Sequence, residues 1–192
     1  LILANKQNPL GGDYVPTGLA ALQCKTADNR TMYLKSDAAI ALSAMMTAMY
    51  AEMPSTSGTS VTSAYRSYER QVELFDSYVQ KHKDNGMSKE EAEAAALVYS
   101  ARPGTSEHQT GLCVDFIVEG MLELDESFEL TDAYKWLSAN AHKYGFILRY
   151  PKDKVDVTGY KYEPWHYRFV GRTAATQIYN SELCLEEYLE LN

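Results

Sequence analysis

Two rhythms of hydrophobic and polar positions alternate along the chain. Over 37–53 the apolar residues recur every three or four positions, with Met45, Met46, Met49 and Met53 among them. That spacing predicts an amphipathic helix whose methionines pack in the core, with Ser36 as its cap and Pro54 as its stop. The helical period returns over 68–83, closing at Asn85-Gly86. Ser88-Lys89-Glu90-Glu91 has capping-box spacing and opens an alanine-rich helix to about Ala101, which Pro103 stops. Further helices are predicted over 132–144, ended by Gly145 in a left-handed conformation, and over 172–179 and 182–190. Period-two alternation marks a strand at 59–65, and a further strand is read around 112–118, with two more at 146–150 and 165–170. Residues 1–30, punctuated by Pro9, Gly11, Gly12, Pro16 and Gly18, read as an extended arm over a domain of 31–192. Helices first and last around a few strands predict a single α+β domain, a small antiparallel sheet flanked by helices.

Composition narrows the function. The 192 residues are 45% hydrophobic, enough for one sizeable core. A formal charge of −8 argues against a general nucleic-acid binder, which needs clustered Lys and Arg. No apolar run approaches the roughly 18 residues of a membrane span. Opening at Leu1 rather than Met, the chain reads as a processed product whose export signal or anchor lies outside it. Cys24, Cys113 and Cys184 follow no zinc-ribbon or disulfide-scaffold spacing. The default reading of Cys113, inside an apolar run, is a small buried hydrophobe. A Cys24–Cys184 bridge is compatible with an exported protein, and the sequence leaves it open.

Three distant fragments carry candidate chemistry. Ser106-Glu107-His108-Gln109-Thr110-Gly111-Leu112-Cys113-Val114-Asp115 offers an imidazole and a carboxylate seven positions apart, with Gly111 as a turn between them. Glu163-Pro164-Trp165-His166 offers a second imidazole and a spare carboxylate, although Pro164 requires a bend to bring the two together. Arg66 follows the strand ending near Tyr65. Two histidines and an aspartate can hold one Zn²⁺ and leave the fourth tetrahedral position to water, as in catalytic sites. Glu163 could take that water's proton, and Arg66 could meet the negative charge of substrate or transition state. His82 and His142, at helix ends, read as structural.

The matching stretches identify a resemblance. Ser63-Ala-Tyr-Arg-Ser67 with Gln71, Arg102 to Asp115, Tyr144 to Pro151 and Tyr162-Glu-Pro-Trp-His-Tyr-Arg168 resemble the VanY-type zinc D-alanyl-D-alanine carboxypeptidases. They also resemble the related D,D-dipeptidase/carboxypeptidases and L,D-carboxypeptidases. The opening Asn5-Lys6, Pro9-Leu10 and Tyr14-Val15-Pro16 is similar to their arm, so the likeness covers nearly the whole chain. The family usually carries alanine where this chain has Cys113.

The resemblance implies one zinc ion held by His108, Asp115 and His166, with Glu163 as general base and acid. Arg66 would stabilise the oxyanion or grip the terminal carboxylate, and Ser106 and Gln71 would position the C-terminal D-residue. Trp165 would pack against the site or fill the core. The implied reaction is removal of the terminal D-alanine from a peptidoglycan stem peptide or precursor. A monomer is expected, exported or held at the cell surface because such stems lie outside the membrane, with a cytoplasmic form acting on precursors or free dipeptide as the alternative. An L,D-carboxypeptidase, a D-Ala-D-Ala dipeptidase and a cell-wall-binding module without catalysis are the rival readings.

Overall fold

The computed structural model describes residues 1–191. Leu19–Ala21 (β1) and Tyr33–Lys35 (β2) form an antiparallel ribbon that leads into α1, Ser36–Glu52. Thr59–Ser63 (β3), Tyr68–Asp84 (α2) and Lys89–Ala96 (α3) follow. Next come Cys113–Val118 (β4), Asp132–Asn140 (α4), Phe146–Leu148 (β5), Val155–Thr158 (α5) and His166–Phe169 (β6). Arg172–Ser181 (α6) and Leu185–Leu191 (α7) pack last. The main sheet runs β3-β4-β6-β5 with every pair antiparallel. The expected α+β class is what the chain adopts.

Strand alternation divides the sheet into two unlike faces. Val114 and Phe116 of β4 and Tyr167 of β6 join a core with Leu42, Met45, Met46 and Met49 of α1 and Trp136 and Leu137 of α4. Each valine, leucine, phenylalanine or methionine side chain among them, fully buried, contributes about 1.5–3 kcal/mol. The intervening residues Cys113, Asp115, His166 and Arg168 are equally buried but stand outside that cluster. Pairing sets Asp115 opposite His166 and Cys113 opposite Arg168. A register slip of one residue would turn these polar groups into the apolar core, so the core itself specifies the site's alignment.

Several boundaries differ from expectation, each for a local reason. Ser36 is the first residue of α1 rather than its cap; Lys35 takes the cap position, and the Ser36 backbone N–H is committed to Gly18 O at 2.8 Å. The capping box at Ser88 forms, but α3 stops at Ala96, five residues early. There Ser100 Oγ and Ala101 O accept hydrogen bonds from Gln71 Nε2 at 2.9 and 2.7 Å, which draws the chain away from the helix path. β3 ends at Ser63 because the register shifts between Val61 and Ser63, and Tyr65 N–H then bonds Tyr33 O. The helix from 132 tightens into a 3₁₀ turn over 141–144 before Gly145. Gly145 sits at φ 87°, and a Cβ there would lie 2.8 Å from the Phe169 ring, so glycine is required twice over.

Among the described residues, Cys24, Cys113 and Cys184 are all free thiols. Residues 1–18 carry no regular structure yet are tied down: Leu10 N–H bonds Gly104 O at 2.8 Å, and Gln109 Nε2 bonds Gly11 O and Tyr14 O.

Candidate metal centre

Two reversals of the chain bring the three suspected ligands together. Glu107–Thr110 form one 3₁₀ turn, and Gly111 at φ 67° swings the backbone into β4, so that His108 and Asp115 face one point. The bend demanded by Pro164 is a turn in which His166 N–H bonds Glu163 O at 3.1 Å. His108 Nε2 lies 3.1 Å from Asp115 Oδ2, and His166 Nδ1 lies 2.8 Å from Asp115 Oδ1. These separations are within about half an ångström of the roughly 3.3 Å donor–donor edge of a zinc tetrahedron.

The outer partner of each ring selects the nitrogen that faces inward. His108 Nδ1–H donates to Ala64 O at 2.7 Å, leaving Nε2 for the centre. His166 Nε2–H donates to Glu107 Oε1 at 2.8 Å, leaving Nδ1. Glu107 is fully buried, and its other oxygen accepts from Arg149 Nε and Arg168 Nη1, both at 2.9 Å. Arg149 in turn grips Glu186 through two hydrogen bonds of 2.8 and 2.7 Å. Asn5 Nδ2 donates to Glu186 and Arg168 Nη2 donates to Ile2 O, so the arm closes this network. Two carboxylates against two guanidiniums keep it near neutral, the condition for tolerating buried charge.

The two rings and the carboxylate are strongly coupled to one another. Burial favours neutral His108, but the Cys113 sulfur and the Asp115 carboxylate outweigh it and push the ring up to about 9. Burial opposes charge on His166 as well, and the same two groups hold it well above the ordinary imidazole value. Asp115, despite burial that favours the neutral acid, is held well below the usual carboxylate range by the two rings. His108, Cys113 and His166 moreover each offer a ligand atom, and these atoms lie within 4.8 Å of one another.

The remaining sequence candidates fall around this point in different ways. Glu163 Oε2 is 3.6 Å from His166 Nδ1, with its side chain 28% exposed, on the solvent side. Burial pushes Glu163 up to about 7, with His166 pulling against it. Arg66 donates to Gln71 Oε1 at 3.0 Å and to Ser63 Oγ at 3.3 Å, while its backbone N–H bonds His108 O. Gln71, buried, has its amide engaged by Arg66, Ser100 and Ala101, so it holds the arginine in position. Ser106 is buried at the head of the 3₁₀ turn. Trp165 packs against the main core cluster. His82 and His142 stand apart, each beside a tyrosine ring. Glu107, Arg149 and Arg168 were assigned no role from sequence. The available signal was a charge inside each of two otherwise apolar strand segments, Phe146–Tyr150 and Tyr167–Val170, because a charge buried in a strand requires a partner.

Comparison with known proteins gives this geometry its context. A D-alanyl-D-alanine carboxypeptidase from Enterococcus faecalis is 47% identical over 129 residues, 67% of this chain and 46% of that protein. The chain therefore spans less than half the length of that relative. The structure of the LD-carboxypeptidase LdcB, described for its peptidoglycan recognition, superposes with a TM-score of 0.84 at 41% identity, covering 98% of this chain and 84% of that one. A VanY D,D-pentapeptidase of a VanB-type vancomycin-resistance cassette, in complex with Zn(II), superposes at 0.78 and 39% identity, covering 98% and 97%. The family model described as VanY: D-alanyl-D-alanine carboxypeptidase matches residues 31–172. By that match this chain belongs to the VanY family of hydrolytic peptidases.

Proposed function

We propose that the chain is a zinc-dependent D,D-carboxypeptidase that removes the terminal D-alanine of peptidoglycan stem peptides. The observation that carries this reading is the convergence of His108 Nε2, His166 Nδ1 and the Asp115 carboxylate beside the partly buried Glu163. Those three residues would hold one zinc ion, which when bound acidifies water and polarises a peptide carbonyl. Glu163 accepts the proton of the attacking water and returns it to the departing D-alanine amine. Arg66, braced by Gln71 and Ser63, meets the negative charge of the tetrahedral transition state or of the terminal carboxylate. Glu107 fixes the tautomer of His166 and so the direction of its lone pair.

A second reading, an L,D-carboxypeptidase acting on tetrapeptide stems, is supported by the superposition on LdcB at a TM-score of 0.84. Both reactions use the same hydrolytic groups; they differ in the residue recognised before the scissile bond. Such stems lie outside the cell membrane, which supports action at the cell surface, and among the described residues no helix is long and apolar enough to cross a membrane.

The test incubates zinc-loaded protein with stem pentapeptide, stem tetrapeptide and free D-Ala-D-Ala and identifies the products by mass. Loss of one alanine from the pentapeptide alone supports the D,D reading, and cleavage of the tetrapeptide alone replaces it with the L,D one. Absence of turnover on all three by metal-replete protein would refute both. His108→Ala is expected to lose metal and turnover together.

A further inference from the structure

We propose that Cys113 is a sulfur donor to this metal centre and makes it selective for thiophilic divalent cations. The inference rests on the reading that His108, Asp115 and His166 hold a metal, and it adds a ligand of a different chemical class. Cys113 and Asp115 are two residues apart on β4 and therefore share a face of the sheet. Val114 and Phe116, on the opposite face, fill the main core, whereas Cys113 belongs to neither apolar cluster although it is fully buried. Two imidazoles lie beside its sulfur.

Its Sγ and one ring nitrogen of each of His108 and His166 lie within 4.8 Å of one another, and the roughly 3.5 Å nitrogen–sulfur edge of a zinc tetrahedron falls inside that limit. The thiol is free of any disulfide. With sulfur added to His108, Asp115 and His166 the protein supplies four donors, so the attacking water takes a fifth position, an expansion that catalytic zinc sites admit, beside the partly exposed Glu163. On coordination the thiol proton leaves to solvent and the sulfur lone pair joins the metal. A thiolate raises affinity for soft cations more than for hard ones, so cadmium gains relative to zinc.

The test loads wild-type protein and Cys113→Ala with Co²⁺, Cd²⁺ or Zn²⁺ after chelation. Wild-type cobalt protein is expected to absorb in the near ultraviolet by sulfur-to-cobalt charge transfer, and Cys113→Ala to lose that band. The ratio of cadmium to zinc affinity is expected to fall about tenfold or more in the variant. Identical cobalt spectra and an unchanged ratio, with stoichiometric metal in both proteins, overturn the sulfur ligand and leave the His-Asp-His centre standing. Failure of wild-type protein to take up any of the three ions overturns both together. Should Cys113→Ala not fold by circular dichroism, Cys113→Ser supplies the same comparison with near-native volume.

Discussion

The Glu107 carboxylate receives Nε2–H of His166 at 2.8 Å, and this one hydrogen bond decides which nitrogen the ring turns toward Asp115. Glu107→Gln keeps the shape but not the valence. An amide has one acceptor oxygen where the carboxylate serves His166, Arg149 and Arg168. The substitution should cost about 3–5 kcal/mol of stability, because it leaves buried guanidiniums underpaired. It should also weaken metal binding by about 10–100-fold. Urea unfolding and a competitive-chelator titration measure the two effects. Native values in both would mean that the network plays no part in the centre.

Glu163→Gln separates binding from catalysis. The side chain stands 3.6 Å from His166 on the solvent side, outside the converging trio. The variant should hold stoichiometric zinc while kcat falls by about two orders of magnitude or more. Metal analysis beside a turnover assay distinguishes this from a ligand's behaviour, in which both are lost.

Arg66 and Gln71 should act as one unit. Arg66→Ala is expected to lower turnover about 10²–10³-fold with zinc unchanged, as loss of a transition-state donor does. Gln71→Ala, which frees the guanidinium without removing it, should produce a smaller loss in the same direction. In the double variant the losses should fall short of additive, since Gln71 works through Arg66. Additive losses would assign Gln71 an independent role.

Acid stability should report the back of the site. Burial favours neutral Glu186, but its two hydrogen bonds from Arg149 prevail and hold its carboxyl below the ordinary value. A depressed native pKa means stabilisation that is fully present above the unfolded value of about 4.3 and is lost as pH falls through the native one. Glu186→Gln should therefore flatten the decline of stability below about pH 4.3 and leave it lower at neutral pH. Equal acid slopes in the two proteins would contradict the pairing.

Much of this architecture could be read before any coordinates. The methionine stripe of α1, the capping box at Ser88 and the glycine stops at 111 and 145 are local codes, resolved within a few residues. The early end of α3 was hidden because its cause, Gln71, sits about 30 residues upstream. Likewise Glu107 could be seen in its motif, but its function depends on Arg149, Arg168 and Glu186, which only strand register and the last helix bring near. Short-range chemistry announces itself in sequence; a buried charge network does not, because each member's partner is chosen by topology.

The linkage from Ile2 and Asn5 through Arg168, Arg149 and Glu186 to Glu107 means that both flanks of the polypeptide reach the imidazole of His166 from behind. Clipping residues 2–5, or prying Leu185–Leu191 away, is expected to loosen Glu107 and weaken metal binding, read by the same chelator titration, without removing any group that meets the peptide. The fold thus makes intactness of its edges a condition for chemistry at its centre.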